Sequence, residues 1–232
     1  PFSKPTLQRF LDAMGWNITE QPLRNVKETL TLCADVFVQE MGSTKLQSQG
    51  IAETCLNYWV TVGMIERIGN GLDDFLVFIH KSFGEFAAAR HLRHMSEEAQ
   101  SASIKGVANS PEWVEVVRFA GLLGLANVVA QVWLVTLVDE LNSKKPITQL
   151  LELLAEATPP PDIQIRQRII GEAFKVVASE QRQRAFEVGE LLVTAARRFP
   201  NEIGPQAHML LNHEQPWTWL VAWATACAAG SA

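Results

Sequence analysis

The sequence predicts a mainly α-helical chain, with three helices closed by a β-hairpin and then an array of helical hairpins like an α-solenoid. Three observations predict it. Apolar residues recur at spacings of three and four through most of the 232 residues. The period shortens to two in one place, on either side of Gly69-Asn70-Gly71. Prolines fall between the periodic stretches, where a helix accepts them in its first turn.

Taken in order, Leu7, Phe10, Leu11 and Met14 give a short amphipathic helix over Thr6–Met14. Pro22 opens a second helix to about Met41, with Val26, Leu30, Cys33, Ala34 and Phe37 inward and Gly42 as its stop. Ile51, Ala52, Cys55, Leu56, Trp59 and Val60 stripe a third, Ser48–Val62. Met64–Ile68 and Phe75–Ile79 are β-branched and aromatic-rich, so the Gly-Asn-Gly between them reads as a hairpin turn. Three helices and a two-stranded wing is the order of a winged helix-turn-helix. A fourth helix, Ser82–Met95, follows, with Ser82 and Glu85 spaced as a capping box. Its Ala87-Ala88-Ala89 would let a neighbouring element approach closely. Beyond it, helices are expected at Glu112–Leu123, Val128–Leu141, Thr148–Ala157, Asp162–Ser179, Arg182–Phe199, Pro205–Leu211 and Trp217–Ala228. The division expected is a winged-helix domain over 1–96 and a helical domain over 97–232, with no fixed repeat period.

Hydrophobic residues make up 47% of the chain, enough for a sizeable core. The net charge of −5 and the lack of a Lys/Arg cluster argue against duplex binding. The third helix would be the one to read a groove, yet no Lys or Arg stands between Lys45 and Arg67. Cys33, Cys55 and Cys227 are too few and too scattered for a disulfide framework or zinc site, so the cytoplasm is the expected compartment. Phe119–Val138 carries no charge over nearly a bilayer's length; Gly121, Gly124 and Asn127 make it two helices with a turn near Gly124–Asn127, not a membrane span. Pro1 stands where an initiator Met would, consistent with a piece of a longer chain. No G-x-x-x-x-G-K-[ST] occurs, so this chain alone is not expected to hydrolyse ATP.

The segment from Phe78 to Leu92 is the most informative. Phe78, His80, Lys81, Ser82, Phe83, Glu85, Phe86, Ala88 and Leu92 match a pattern placed after the wing in NACHT-family proteins of the STAND NTPase class. The chain resembles that family over about residues 20–125, including Pro111-Glu112-Trp113-Val114-Glu115-Val116, and departs from the pattern at Gly84, where Gln is common. The resemblance implies a regulatory segment of a nucleotide-switched signalling NTPase, in innate immune or antiphage defence. The winged helix would gate the ADP/ATP state of an upstream nucleotide-binding domain, and the helical array would link to a sensor or trigger protein, with homo-oligomerisation on activation. It implies ADP/ATP in the parent protein and no cofactor in this chain alone. It also implies that His80 contacts the ADP β-phosphate, a role compatible with a position just before a helix N-terminus. A structural histidine fixing the strand–helix junction is the alternative.

Two readings from other classes are a stand-alone helical scaffold with a winged-helix protein-binding module, and a transcription regulator. No catalytic set stands out. His91-x-x-His94 and the pair His208 and His213 lack metal-ligand spacing and are expected to be exposed helix histidines. Trp217, Trp219 and Trp223 are expected to form core, or the face of a helix whose partner lies outside this chain, with an exposed recognition surface as the alternative.

Overall fold

The computed structural model describes residues 3–69, 74–139, 145–179 and 181–230. It is mainly α-helical with one two-stranded antiparallel sheet, and it divides into two compact units, Pro1–Ala120 and Gly121–Ala232.

In the first unit, α1 (Lys4–Glu20) runs past the expected Met14, because Gly15 is a contact residue and not a stop. A Cβ there would lie 2.6 Å from Ala87 Cβ and 2.7 Å from both Ala88 N and Gly84 O. The alanine run thus admits the backbone of α1 against α4 (Lys81–Leu92). Helix α2 (Val26–Met41) begins not at Pro22 but after Asn25, whose side chain accepts from Glu28 N, and it ends at Gly42 in the left-handed region, φ 63°. Helix α3 (Lys45–Thr61) starts three residues before the expected Ser48, set by a capping box between Thr44 and Gln47. Strands β1 (Ile65–Ile68) and β2 (Phe75–Phe78) pair in the register Ile65 opposite Phe78. The turn residues Asn70 and Gly71 lie outside the described residues. Phe10, Met14, Cys33, Phe37, Leu56 and Ile65 fill the core between these elements.

Helix α5 (Glu97–Val107) has no counterpart among the expected elements, although Ser96 caps it and Glu97 and Glu98 favour its positive end. After a 3₁₀ turn at Pro111–Trp113, α6 (Val114–Ala120) packs on α4. The first compact unit therefore extends beyond the expected 96/97 division, because Val116, Val117 and Ala120 are buried within it.

The second unit opens with a π-helical turn, Gly121–Leu125, in which Gly124 takes φ 113°. By length and composition Pro111–Val135 could cross a bilayer. The backbone at Gly124 ends one helix and starts the next, α7 (Ala126–Asp139), where a turn was expected. Helices α8 (Lys145–Glu156), α9 (Ile163–Val177), α10 (Arg182–Arg198), α11 (Pro200–Met209) and α12 (Pro216–Ala228) follow. Helix α10 is central and packs on α8, α9, α11 and α12. Helix α11 starts at Pro200 and carries Pro205 in its interior, not at its start as expected. Arg198 donates to the carbonyls of Ala155 (2.8 Å), in the last turn of α8, and Ala157 (2.6 Å), just after it, satisfying acceptors that no later turn can reach.

Candidate functional site

The hairpin delivers the chain to the start of α4. Ile79 N donates to Met64 O at 3.2 Å, His80 is extended at φ −121° and ψ 128°, and Lys81 is the first helical residue. His80 is the N-cap of α4, and its side chain makes no capping hydrogen bond. It is exposed, with its ring edge-on to Phe83 at 5.4 Å between centroids. Its chain neighbour Ile79 and its ring partner Phe83 are both exposed by more than 40%, and Phe86, one turn beyond Phe83, is 40% exposed and edge-on to Phe119.

The expected Ser82–Glu85 capping box does not form. The helix begins one residue before Ser82, which puts the hydroxyl inside the first turn, and the Glu85 carboxylate turns to Lys81 Nζ at 3.2 Å. Gly84, the departure from the family pattern, lies beneath the Phe78 ring; a Cβ there would meet Phe78 Cδ2 at 2.8 Å.

What orients α4 is a buried ionic network that sequence reasoning missed. Arg9 of α1 donates from Nε to both carboxylate oxygens of Glu40 at 2.9 Å. Its Nη1 lies 2.8 Å from His91 Nδ1. Arginine can only donate, so Nδ1 accepts and His91 is a neutral imidazole. Burial and the Arg9 charge push its pKa down to about 4. Trp16 stacks on His91 at 5.6 Å and meets Trp113 at 4.8 Å. The Asp12 carboxylate is 1% exposed, with Arg90 Nη2 at 3.4 Å and His94 Nε2 at 3.5 Å, and neither closes a hydrogen bond. Burial raises its pKa to about 6, against the opposing pull of Arg90, Arg9 and Arg93. The expectation that His91 is exposed therefore fails: α4 turns it under α1, whereas His94, one turn on, is exposed. The legible signal was a charge inside an apolar stretch, Asp12 between Leu11 and Ala13.

A cleft of about 490 Å³ opens beside Lys81, between the C-terminal turn of α1, strand β2, the first turns of α4 and the Pro111–Trp113 turn. Among the described residues no group of three or more His, Cys, Asp or Glu side chains could hold a metal ion. Cys33 and Cys55 are buried, and burial pushes their thiols up to about 12 and about 11, which makes them poor nucleophiles. The tryptophan stripe divides. Trp217 is half-buried with Nε1 donating to Ser179 O at 3.3 Å, whereas Trp219 and Trp223 are exposed, because Thr218, Val221, Ala222 and Thr225 form the inner face of α12. Of the readings expected for the stripe, core fits Trp217 in part, and an exposed helix face fits Trp219 and Trp223.

No family model, curated protein or solved structure matches the chain.

Proposed function

We propose that this chain is the regulatory segment of a nucleotide-switched signalling NTPase of the NACHT kind. Its first unit acts as a winged helix that closes over ADP held by an upstream domain, and its second links that switch to a sensor. The observation that carries the reading is His80. The residue sits at the entry to α4 with an imidazole that caps nothing, ringed by the exposed apolar side chains of Ile79 and Phe83. A helix N-terminus carries unsatisfied N–H groups and a partial positive charge, both suited to phosphate oxygens. The apolar ring suits contact with a second protein surface. His80 would add one directional donor to the β-phosphate, and the ADP-bound form would be the resting one. Exchange for ATP would release the contact and allow assembly into a homo-oligomer. The chain carries no phosphate-binding loop, so hydrolysis belongs to the parent protein.

The test is ADP retention by the full-length parent carrying His80→Leu, which keeps bulk and removes the donor. A hydrogen bond to a charged group is worth roughly 1.5–3 kcal/mol, so ADP should leave about tenfold to a hundredfold faster. An unchanged dissociation rate, with unchanged thermal stability, would make His80 a residue of the strand–helix junction and nothing more.

A further inference from the structure

We infer that the cleft beside Lys81 is a binding site for a cationic side chain on an apolar stem, an arginine presented by a partner peptide. The floor is apolar: Ile18 from α1, Phe78 from β2 and Trp113 from the 3₁₀ turn. The lining carries three carboxylates, Glu20, Glu112 and the buried Glu85, and one cation, Lys81; Glu20 is also held by Arg24 at 3.0 Å. The C-terminal turn of α1 also lines the cleft and brings the negative end of that helix to it. Glu112 accepts from Ser110 Oγ at 2.8 Å, a bond that favours its ionised form.

Glu85 decides the chemistry. Its side chain is 8% exposed, yet its partner Lys81 is 77% exposed, at 3.2 Å. A buried carboxylate is thus neutralised by one mobile surface ammonium, a pairing that water and salt weaken. A guanidinium entering over Trp113 and Phe78 would offer a planar fork of donors to the same carboxylate and stack on aromatic faces. Lys81 would swing out to solvent at little cost. An anion would meet more carboxylates than cations, since Glu112 has, among the described residues, no ion pair to match those of Glu20 and Glu85, and a neutral apolar group would leave Glu112 unanswered. The site is separate from the phosphate role proposed for His80 and stands without it.

The experiment is a titration of the 232-residue chain with the peptide acetyl-Leu-Arg-Leu-amide. Binding is followed at the Trp113 indole N–H resonance, assigned with Trp113→Phe. The peptide should shift that resonance saturably, and its citrulline counterpart, isosteric and uncharged, should bind about tenfold weaker or worse. Glu85→Gln should lose the arginine preference. Lys81→Met removes the internal competitor and should tighten binding several-fold, the reverse of what general loss of fold would give. Equal shifts from the arginine and citrulline peptides would overturn the inference. So would no shift in either the wild type or Lys81→Met at about 10 mM peptide, a concentration that would reveal even millimolar affinity.

Discussion

The two compact units solve the same packing problem with different materials. In the first, α1 and α4 meet backbone to backbone at Gly15, and one buried charge on α1 stands in each of two ion pairs alongside: Arg9 with the exposed Glu40, Asp12 with the half-buried Arg90. In the second, an ion pair of Arg166 and Glu202 ties α9 to α11, but α10 rests in a bed of Leu, Ile, Val and Ala side chains, and its close glycine contact, Gly189, faces the side chain of Val221. Apolar layers tolerate sliding and repacking, whereas a buried charge is costly away from its partner. The difference teaches that the α1–α4 contact is built for a single geometry around the helix that starts at His80, and the bed of α10 for stability with more latitude.

The sharpest way to break this contrast is the glycine pair. Gly15→Val drives its side chain into the backbone of Ala88 and the carbonyl of Gly84, which cannot move aside. It should cost about 3 kcal/mol or more in urea unfolding. Gly189→Ala meets Val221 Cγ1, Cγ2 and Cβ at 2.7, 2.8 and 3.3 Å, a stiff β-branched side chain that yields only if α12 moves slightly, and it gains helix propensity. The sum should be a loss of about 1–2 kcal/mol, smaller than at Gly15. Similar losses at both sites would erase the distinction between the units.

Next in size is Arg9→Met. It leaves His91 Nδ1 buried without a donor, while Glu40, being exposed, is rehydrated, and should cost roughly 1–3 kcal/mol. A loss below about 1 kcal/mol would show the network to be ornamental to stability.

The pH dependence sharpens the picture further. Asp12 is raised to about 6, so between the unfolded value of 3.8 and 6 the folded chain binds the extra proton, and stability from this group falls as pH rises through that window. His91 is lowered to about 4, so between 4 and 6.5 the unfolded chain binds the extra proton, and stability rises with pH. His94, also lowered, acts in the same sense as His91. The slopes of Asp12 and His91 offset each other, and His94 and Glu40, whose carboxyl the Arg9 hydrogen bond holds below its usual range, tip the balance, so the first unit should lose a little stability as pH falls from 6.5 to 4. Asp12→Asn should unmask the histidines, with stability lost on acidification by about 2–3 kcal/mol across the window. His91→Gln should reverse the sign. A pair of single variants with the same slope as the wild type would refute the opposing assignments.

The smallest effects separate two caps. Thr44→Ala should cost about 1 kcal/mol, because its hydroxyl and Gln47 form a reciprocal box at α3. Ser82→Ala should change the melting midpoint imperceptibly, because α4 has no side-chain cap hydrogen bond.

These caps also mark what was legible in the sequence. The hairpin, the Gly42 stop and the Gly124 break were readable, since each is dictated by local backbone chemistry: a change of period, or a residue able to take positive φ. The Ser82–Glu85 spacing was equally local and misled, because the wing fixes the chain's direction at His80 and the helix starts there, while Lys81 claims the carboxylate. The first helix was read only to Met14, and Gly15 gave no sign of its role, because its reason for being glycine lies on a helix about seventy residues away. Helix α5 carried a legible Ser96-Glu97-Glu98 start but few apolar residues to confirm it, as only Gln100 and Ile104 are buried. The ionic network was out of reach for the same reason as Gly15: nothing local tells Asp12 that Arg90 will be its neighbour. Of the candidate site, the position of His80 could be read, and the cleft beside it could not, because its walls come from four separated segments.

The contact at Gly15 has a mechanical consequence. Two helices held apart by side chains can creep past each other as rotamers flip, and a push on one arrives at the other delayed and diminished. At Gly15 there are no rotamers to flip, only the main chain of α1 lying on the main chain of α4, with the Asp12–Arg90 ion pair and the Arg9–His91 hydrogen bond as dowels further along. A displacement applied at His80 is therefore delivered to the whole length of α1 as a rigid stroke, so that the two helices respond to load as one beam.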